Sequence, residues 1–158
     1  MKPVLIIKTG NTIETLRKTG EDFEDWIIAG CGLSADGFLV AEVFLGQSLP
    51  DLDHIAGVIV TGSPAYVTDG EAWSENAAEY LRDAVQRQIP VLGICYGHQL
   101  LAHALGGRVG FHPDGREIGT TDIQLTEKGR VDCLFCSLPE TFKGHVSHQQ
   151  TVLELPSG

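Results

Sequence analysis

Gly93-Ile94-Cys95-Tyr96-Gly97 is the segment that most narrows what this chain can become. It joins the apolar run Pro90 to Ile94 to a helix-like stretch, Cys95 to Leu105, that ends at Gly106-Gly107. Glycines two before and two after the cysteine permit a sharp strand-to-helix reversal. Such an elbow requires a buried strand to end where a helix begins, as in an open α/β sheet. It projects the central side chain at the carboxyl end of the strand, where these sheets bind ligands. The helix dipole and the free N–H groups of the first turn are expected to favour the Cys95 thiolate. A cysteine merely buried in the core is the alternative, but packing alone gives no reason for glycine on both flanks.

The remaining pattern agrees with that geometry. Pro3 to Lys8, Phe38 to Phe44 and Ala56 to Thr61 are β-rich apolar runs of the kind buried in parallel sheets. A helix is expected after Thr19-Gly20-Glu21-Asp22, which has capping-box spacing, with Phe23, Trp26 and Ile27 on one face until Gly30 and Gly32 end it. Ser74 to Gln88 is amphipathic, with Ala77, Ala78, Leu81, Ala84 and Val85 on one side and Glu75, Glu79, Arg82 and Asp83 on the other. Strands separated by helices predict βαβ units and an open, mostly parallel α/β sheet flanked by helices. From Arg108 onward the pieces are shorter, with strand-like Glu117 to Thr126 and His145 to Ser147. No repeat or linker interrupts residues 1–158, so a single domain is expected.

Composition narrows the partners. The chain has 158 residues, 42% hydrophobic and 20% charged, enough apolar content for a core and too much for disorder. Its formal charge of -10 would repel nucleic acid and anionic lipid. No apolar stretch approaches the ~20 residues of a membrane helix, and the N-terminal apolar run is too short for a signal segment. A cytoplasmic protein, bound to no membrane and no nucleic acid, is therefore expected. Cys31, Cys95, Cys133 and Cys136 are too scattered for a disulfide scaffold. Cys133-Leu134-Phe135-Cys136 is a lone CxxC without a second ligand pair, so no metal is expected, and no motif calls for a cofactor.

Gly93-Ile94-Cys95-Tyr96-Gly97-His98-Gln99 resembles the Gly-x-Cys-x-Gly-x-Gln motif of class I (triad-type) glutamine amidotransferase domains and matches every fixed position. Thr61-Gly62-Ser63-Pro64 looks like that family's oxyanion loop, and Leu105-Gly106-Gly107-Arg108-Val109 like the end of its nucleophile helix and the following strand. Val146-Ser147-His148 resembles its substrate-contacting Ser-His segment, although the usual Gly-Asp that follows is replaced by Gln149-Gln150. The likeness covers nearly the whole chain and extends to the amidotransferase half of GMP synthases. It implies a flavodoxin-like fold with Cys95 as nucleophile. Backbone N–H groups of Tyr96 and of Ser63 or Gly62 would form the oxyanion hole, since amide cleavage by a thiolate builds charge on the amide oxygen. Gln99, one helical turn after Cys95, would help hold the substrate. Ser147 and His148 would contact it as well. An ordinary βα turn at Gly62, an exposed helix glutamine at Gln99 and a plain strand end at Ser147 are the alternatives.

A thiol nucleophile needs a base. Phe111-His112-Pro113-Asp114 is similar to the family's catalytic dyad string, but it follows the nucleophile helix directly, whereas that string comes after the Ser-His segment. His98 and His103 lie on the nucleophile helix, and His54 precedes a strand at the far end of the sheet. The expectation is that the base lies beyond Gly158, the C-terminal part of the domain being absent, and that the 158-residue chain by itself turns over poorly. The function implied is release of ammonia from glutamine through a Cys95 γ-glutamyl thioester, for a synthetase partner or acceptor domain. A γ-glutamyl peptide or amine hydrolase, and a non-catalytic regulatory domain, are the competing readings.

Overall fold

A computed structural model describes residues 1–157. Its first elements are β1 (Val4–Lys8), α1 (Glu14–Arg17), α2 (Phe23–Cys31), β2 (Phe38–Glu42), β3 (Gly57–Val60) and α3 (Ala72–Gln86). There follow β4 (Val91–Gly93), α4 (Tyr96–Ala104), β5 (Arg108–Phe111), β6 (Glu117–Gln124), α5 (Glu127–Val131), β7 (Thr141–His148) and β8 (Gln150–Glu154). The chain divides into two compact units, Met1–Gly110 with Gln150–Gly158, and Phe111–Gln149.

In the first unit, β2-β1-β3-β4 form a four-stranded sheet in which all neighbours are parallel. The predicted open parallel α/β sheet is thus present. Side chains alternate across each strand, so Leu5, Ile7, Val58 and Val60 face α3 and α4 and join Leu81, Leu100 and Tyr96 in one buried cluster. Ile6, Lys8 and Ile59 point to the opposite face, where α2 contacts β1. β5 and β8 form a separate two-stranded sheet. In the second unit, β6 and β7 make an antiparallel ribbon in which Glu117 pairs with His148 and Gln124 with Thr141.

Several predicted boundaries shift. The cap of α2 is Asp22, not Thr19: its carboxylate accepts the Phe23 N–H, and Asp25 answers with a bond to the Asp22 N–H. The Thr19 hydroxyl donates instead to the Leu16 carbonyl, closing α1, a short helix the apolar periodicity did not predict. Asp at the cap adds a negative charge at the positive end of the helix, which Thr cannot. Strand β2 stops at Glu42 because Val43–Leu45 turn into a 3₁₀ helix ended by Gly46 at φ 82°.

Candidate functional site

The elbow forms as the glycines require. Cys95 is the N-cap of α4 at φ 53° and ψ −106°, a left-handed conformation costly for a residue with a Cβ. Gly93 and Gly97 make the turn feasible by close approach. A Cβ on Gly93 would lie 2.5 Å from the Gly97 carbonyl carbon, and one on Gly97 would overlap the Val60 carbonyl oxygen. Backbone bonds lock the crossing: the Ile94 N–H donates to Val60 O at 3.0 Å, and the Gly97 N–H to Thr61 O at 3.1 Å.

Tyr96 turns inward, 1% exposed, with its hydroxyl 2.6 Å from Ser74 Oγ and its ring 5.8 Å from Trp73. Burial pushes its phenol up to about 12. The side chain therefore anchors α4 against α3, leaving only the Tyr96 backbone N–H turned to the sulfur. Cys95 itself keeps exposed surface. Its neighbours still desolvate the sulfur enough to raise the thiol pKa, and the bond from the Tyr96 N–H acts in the opposite direction. The expected lowering by the helix start is thus overturned: desolvation outweighs the N–H contribution.

Gly62 lies across from the thiol. A Cβ built there would stand 3.8 Å from the Cys95 Cβ and 3.9 Å from Phe23 Cζ. The loop is rigidly held. Thr9 Oγ1 donates to the Thr61 and Gly62 carbonyls, and the Ser63 hydroxyl donates to Thr9 O at 2.7 Å while accepting the Ala65 N–H. Gly10 has no room for a side chain: a Cβ there would meet Pro64 Cδ at 2.7 Å. The loop is thus buttressed by the segment that follows β1.

Gln99 is buried rather than exposed on the helix. Its amide nitrogen donates to the Gln150 carbonyl at 2.7 Å, fastening α4 to β8, while the Gln150 amide donates to Thr68 Oγ1 at 2.6 Å. No local pattern points to Gln150, which lies 51 residues from Gln99 along the chain. Ser147 and His148 lie at the end of β7 in the second unit. There His148 Nε2 is 2.7 Å from Glu117 Oε2, His112 Nε2 is 3.8 Å from the same oxygen, and the two rings are 6.3 Å apart. His112 thus joins His148 and Glu117, a grouping the spacing did not suggest. His103 pairs with Glu75 at 3.1 Å. Among the described residues no cluster of His, Cys, Asp or Glu is arranged to hold a metal ion, and no helix is long and apolar enough to cross a membrane.

A strained cysteine on a strand-to-helix elbow, facing a buttressed glycine loop, lies at the carboxyl end of a parallel strand, where open α/β sheets bind ligands. Residues 41–158 match the family model of glutamine amidotransferase class-I, and the chain belongs to that family. It is 41% identical over 112 residues to the glutamine-hydrolyzing GMP synthase of Aeropyrum pernix, a match covering 71% of this chain and 20% of that protein. The corresponding enzyme of Porphyromonas gingivalis is 37% identical over 119 residues, covering 74% and 22%. The chain thus spans about a fifth of the length of these curated relatives. Among solved structures, a glutamine amido transferase of Methylobacillus flagellatus superposes with a TM-score of 0.78 at 26% identity, covering 100% of this chain and 59% of that one. One from Thermotoga maritima, with a TM-score of 0.76 at 21% identity and coverage of 99% and 64%, shares the fold.

Proposed function

We propose that Cys95 is the nucleophile of a glutamine amide hydrolysis that passes through a γ-glutamyl thioester and releases ammonia. The observation that carries this is the Cys95 backbone: φ 53° is held by close glycine contacts on both sides, strain that a packing cysteine would not need. In the first step a base takes the thiol proton and the sulfur attacks the side-chain amide carbon. Charge on the amide oxygen is met by the N–H of Tyr96 and that of Gly62 or Ser63. The carbon–nitrogen bond then breaks, and the nitrogen leaves as ammonia after gaining a proton. Water hydrolyses the thioester to glutamate and restores the thiol. Gln99, Ser147 and His148 are assigned to substrate contact, with the Gln99 amide nitrogen already committed to Gln150 and its oxygen the group left for a ligand.

Ammonia needs an acceptor. The curated relatives are GMP synthases that hydrolyse glutamine, which supports a synthetase domain or subunit as the recipient. A chloroketone analogue of glutamine tests the nucleophile directly. The protein should gain one covalent adduct, located by peptide mass spectrometry at Cys95, and Cys95→Ala should gain none. Labelling retained in Cys95→Ala would exclude the assignment.

A further inference from the structure

Lys8 is a buried ammonium that the chemistry above does not use. It ends β1, is 4% exposed, and meets three carboxylates: Nζ is 3.3 Å from Asp22 Oδ2, 2.6 Å from Glu24 Oε1 and 3.4 Å from Glu42 Oε1. Asp22 and Glu24 flank Phe23, the first residue of α2. Asp22 is fixed further by the Thr12 N–H at 2.7 Å and by Arg17 at 3.5 Å. Phe23, Ile27 and Ile28 are half-buried and no residue of α2 is fully buried, so the ion pairs and apolar contact share the seating of this helix. Yet Phe23 Cζ and the Cys95 Cβ border the same space, 3.9 and 3.8 Å from where a Gly62 Cβ would stand. Buried ion clusters contribute little net stability, because desolvation offsets their attraction, but removing one partner leaves uncompensated charge that forces a local rearrangement.

We propose that the Lys8 ion cluster is a positioning device that holds Phe23 as one wall of the Cys95 site, so that charge at the end of β1 sets how far the thiol is covered. The inference rests on Cys95 being the nucleophile. Lys8 touches no reacting atom in this scheme: it acts through Asp22 and Glu24 on the ring between them. The raised thiol pKa has desolvation as its largest cause, in keeping with such a wall.

The test is the rate at which iodoacetamide alkylates Cys95, followed on its own peptide so that Cys31, Cys133 and Cys136 do not contribute. Phe23→Ala should raise that rate about tenfold, by opening the wall and easing desolvation of the thiolate. Lys8→Met and Glu24→Gln should raise it in the same direction by roughly threefold or more, and Lys8→Arg should stay within about twofold of the parent. Because both effects run through one ring, Lys8→Met should add nothing in the Phe23→Ala background. An unchanged rate in Lys8→Met, or additive effects in the double variant, overturns the proposal. If Lys8→Met fails to fold, Glu24→Gln decides alone, since it leaves Lys8 paired with Asp22 and Glu42, and an unchanged rate there is equally fatal. Failure of the nucleophile assignment looks different: the parent protein would react with iodoacetamide but not with the glutamine chloroketone.

Discussion

The two faces of the parallel sheet hold their helices by different physics. Toward α3 and α4 the contact is apolar, with Leu5, Ile7, Val58, Val60, Leu81 and Leu100 in one cluster. Toward α2 it is ionic at the helix start, with Lys8 set among Asp22, Glu24 and Glu42. Apolar packing tolerates little displacement and fixes the floor of the site, the elbow itself. Charge pairs depend on protonation and on every partner being present, and they bear on its rim. The contrast explains how one cysteine can be rigid in backbone yet adjustable in exposure.

The sharpest break of the apolar side is Leu100→Ala, which should cost about 2–5 kcal/mol in denaturant unfolding, because the cluster cannot close the void. Gly97→Ala comes next. Its Cβ would overlap Val60 backbone, so a loss of roughly 3 kcal/mol is expected, together with loss of chloroketone labelling as the elbow opens. Cys95→Gly should be more stable than Cys95→Ala by about 1 kcal/mol, measured by thermal unfolding, since only glycine occupies φ 53° without strain. Equal stabilities would mean that the elbow is relaxed.

The ionic side should show itself in pH dependence. Asp22 is held below the ordinary carboxylate range: burial alone would raise its pKa, but the Thr12 and Phe23 N–H groups and the Lys8 ammonium outweigh it. A depressed folded-state pKa means stability present above the unfolded carboxylate value and lost as pH falls through the folded one. Asp22→Asn should therefore unfold more easily than the parent near neutrality, and the gap should close as acid protonates Asp22. Lys8 is raised despite desolvation, by Glu24 first and Asp22 next. Its contribution is complete below the unfolded lysine value and is lost only as pH rises through the folded one. The smallest effect belongs to Gly62→Ala, whose Cβ would meet only ordinary contacts and should shift unfolding by no more than about 0.5 kcal/mol. A large loss there would mean that the Gly62 loop is tighter than its geometry indicates.

Strand and helix order was legible because burial on both faces leaves unbroken apolar runs, as in residues 4–7 and Gly57–Val60. The elbow was legible because two glycines at fixed spacing have one steric explanation. Less was visible where partners are distant in sequence. Gln150 beneath Gln99 and His112 beside His148 depend on contacts that no local pattern encodes, whereas Asp22 displaces Thr19 as the cap through partners only one and three residues away. The thiol shows the limit most clearly: a helix start argues for a lowered pKa, and only the walls of the folded site reveal that desolvation reverses the sign.

By itself the sequence determined the α/β sheet, the place of the strand-to-helix elbow and the family, because each follows from residues adjacent along the chain. The tertiary structure alone decided which charges surround Lys8, which ring stands beside Gly62 and which backbone anchors Gln99. Those outcomes depend on through-space distances and on desolvation, and neither is set until separate segments have packed together.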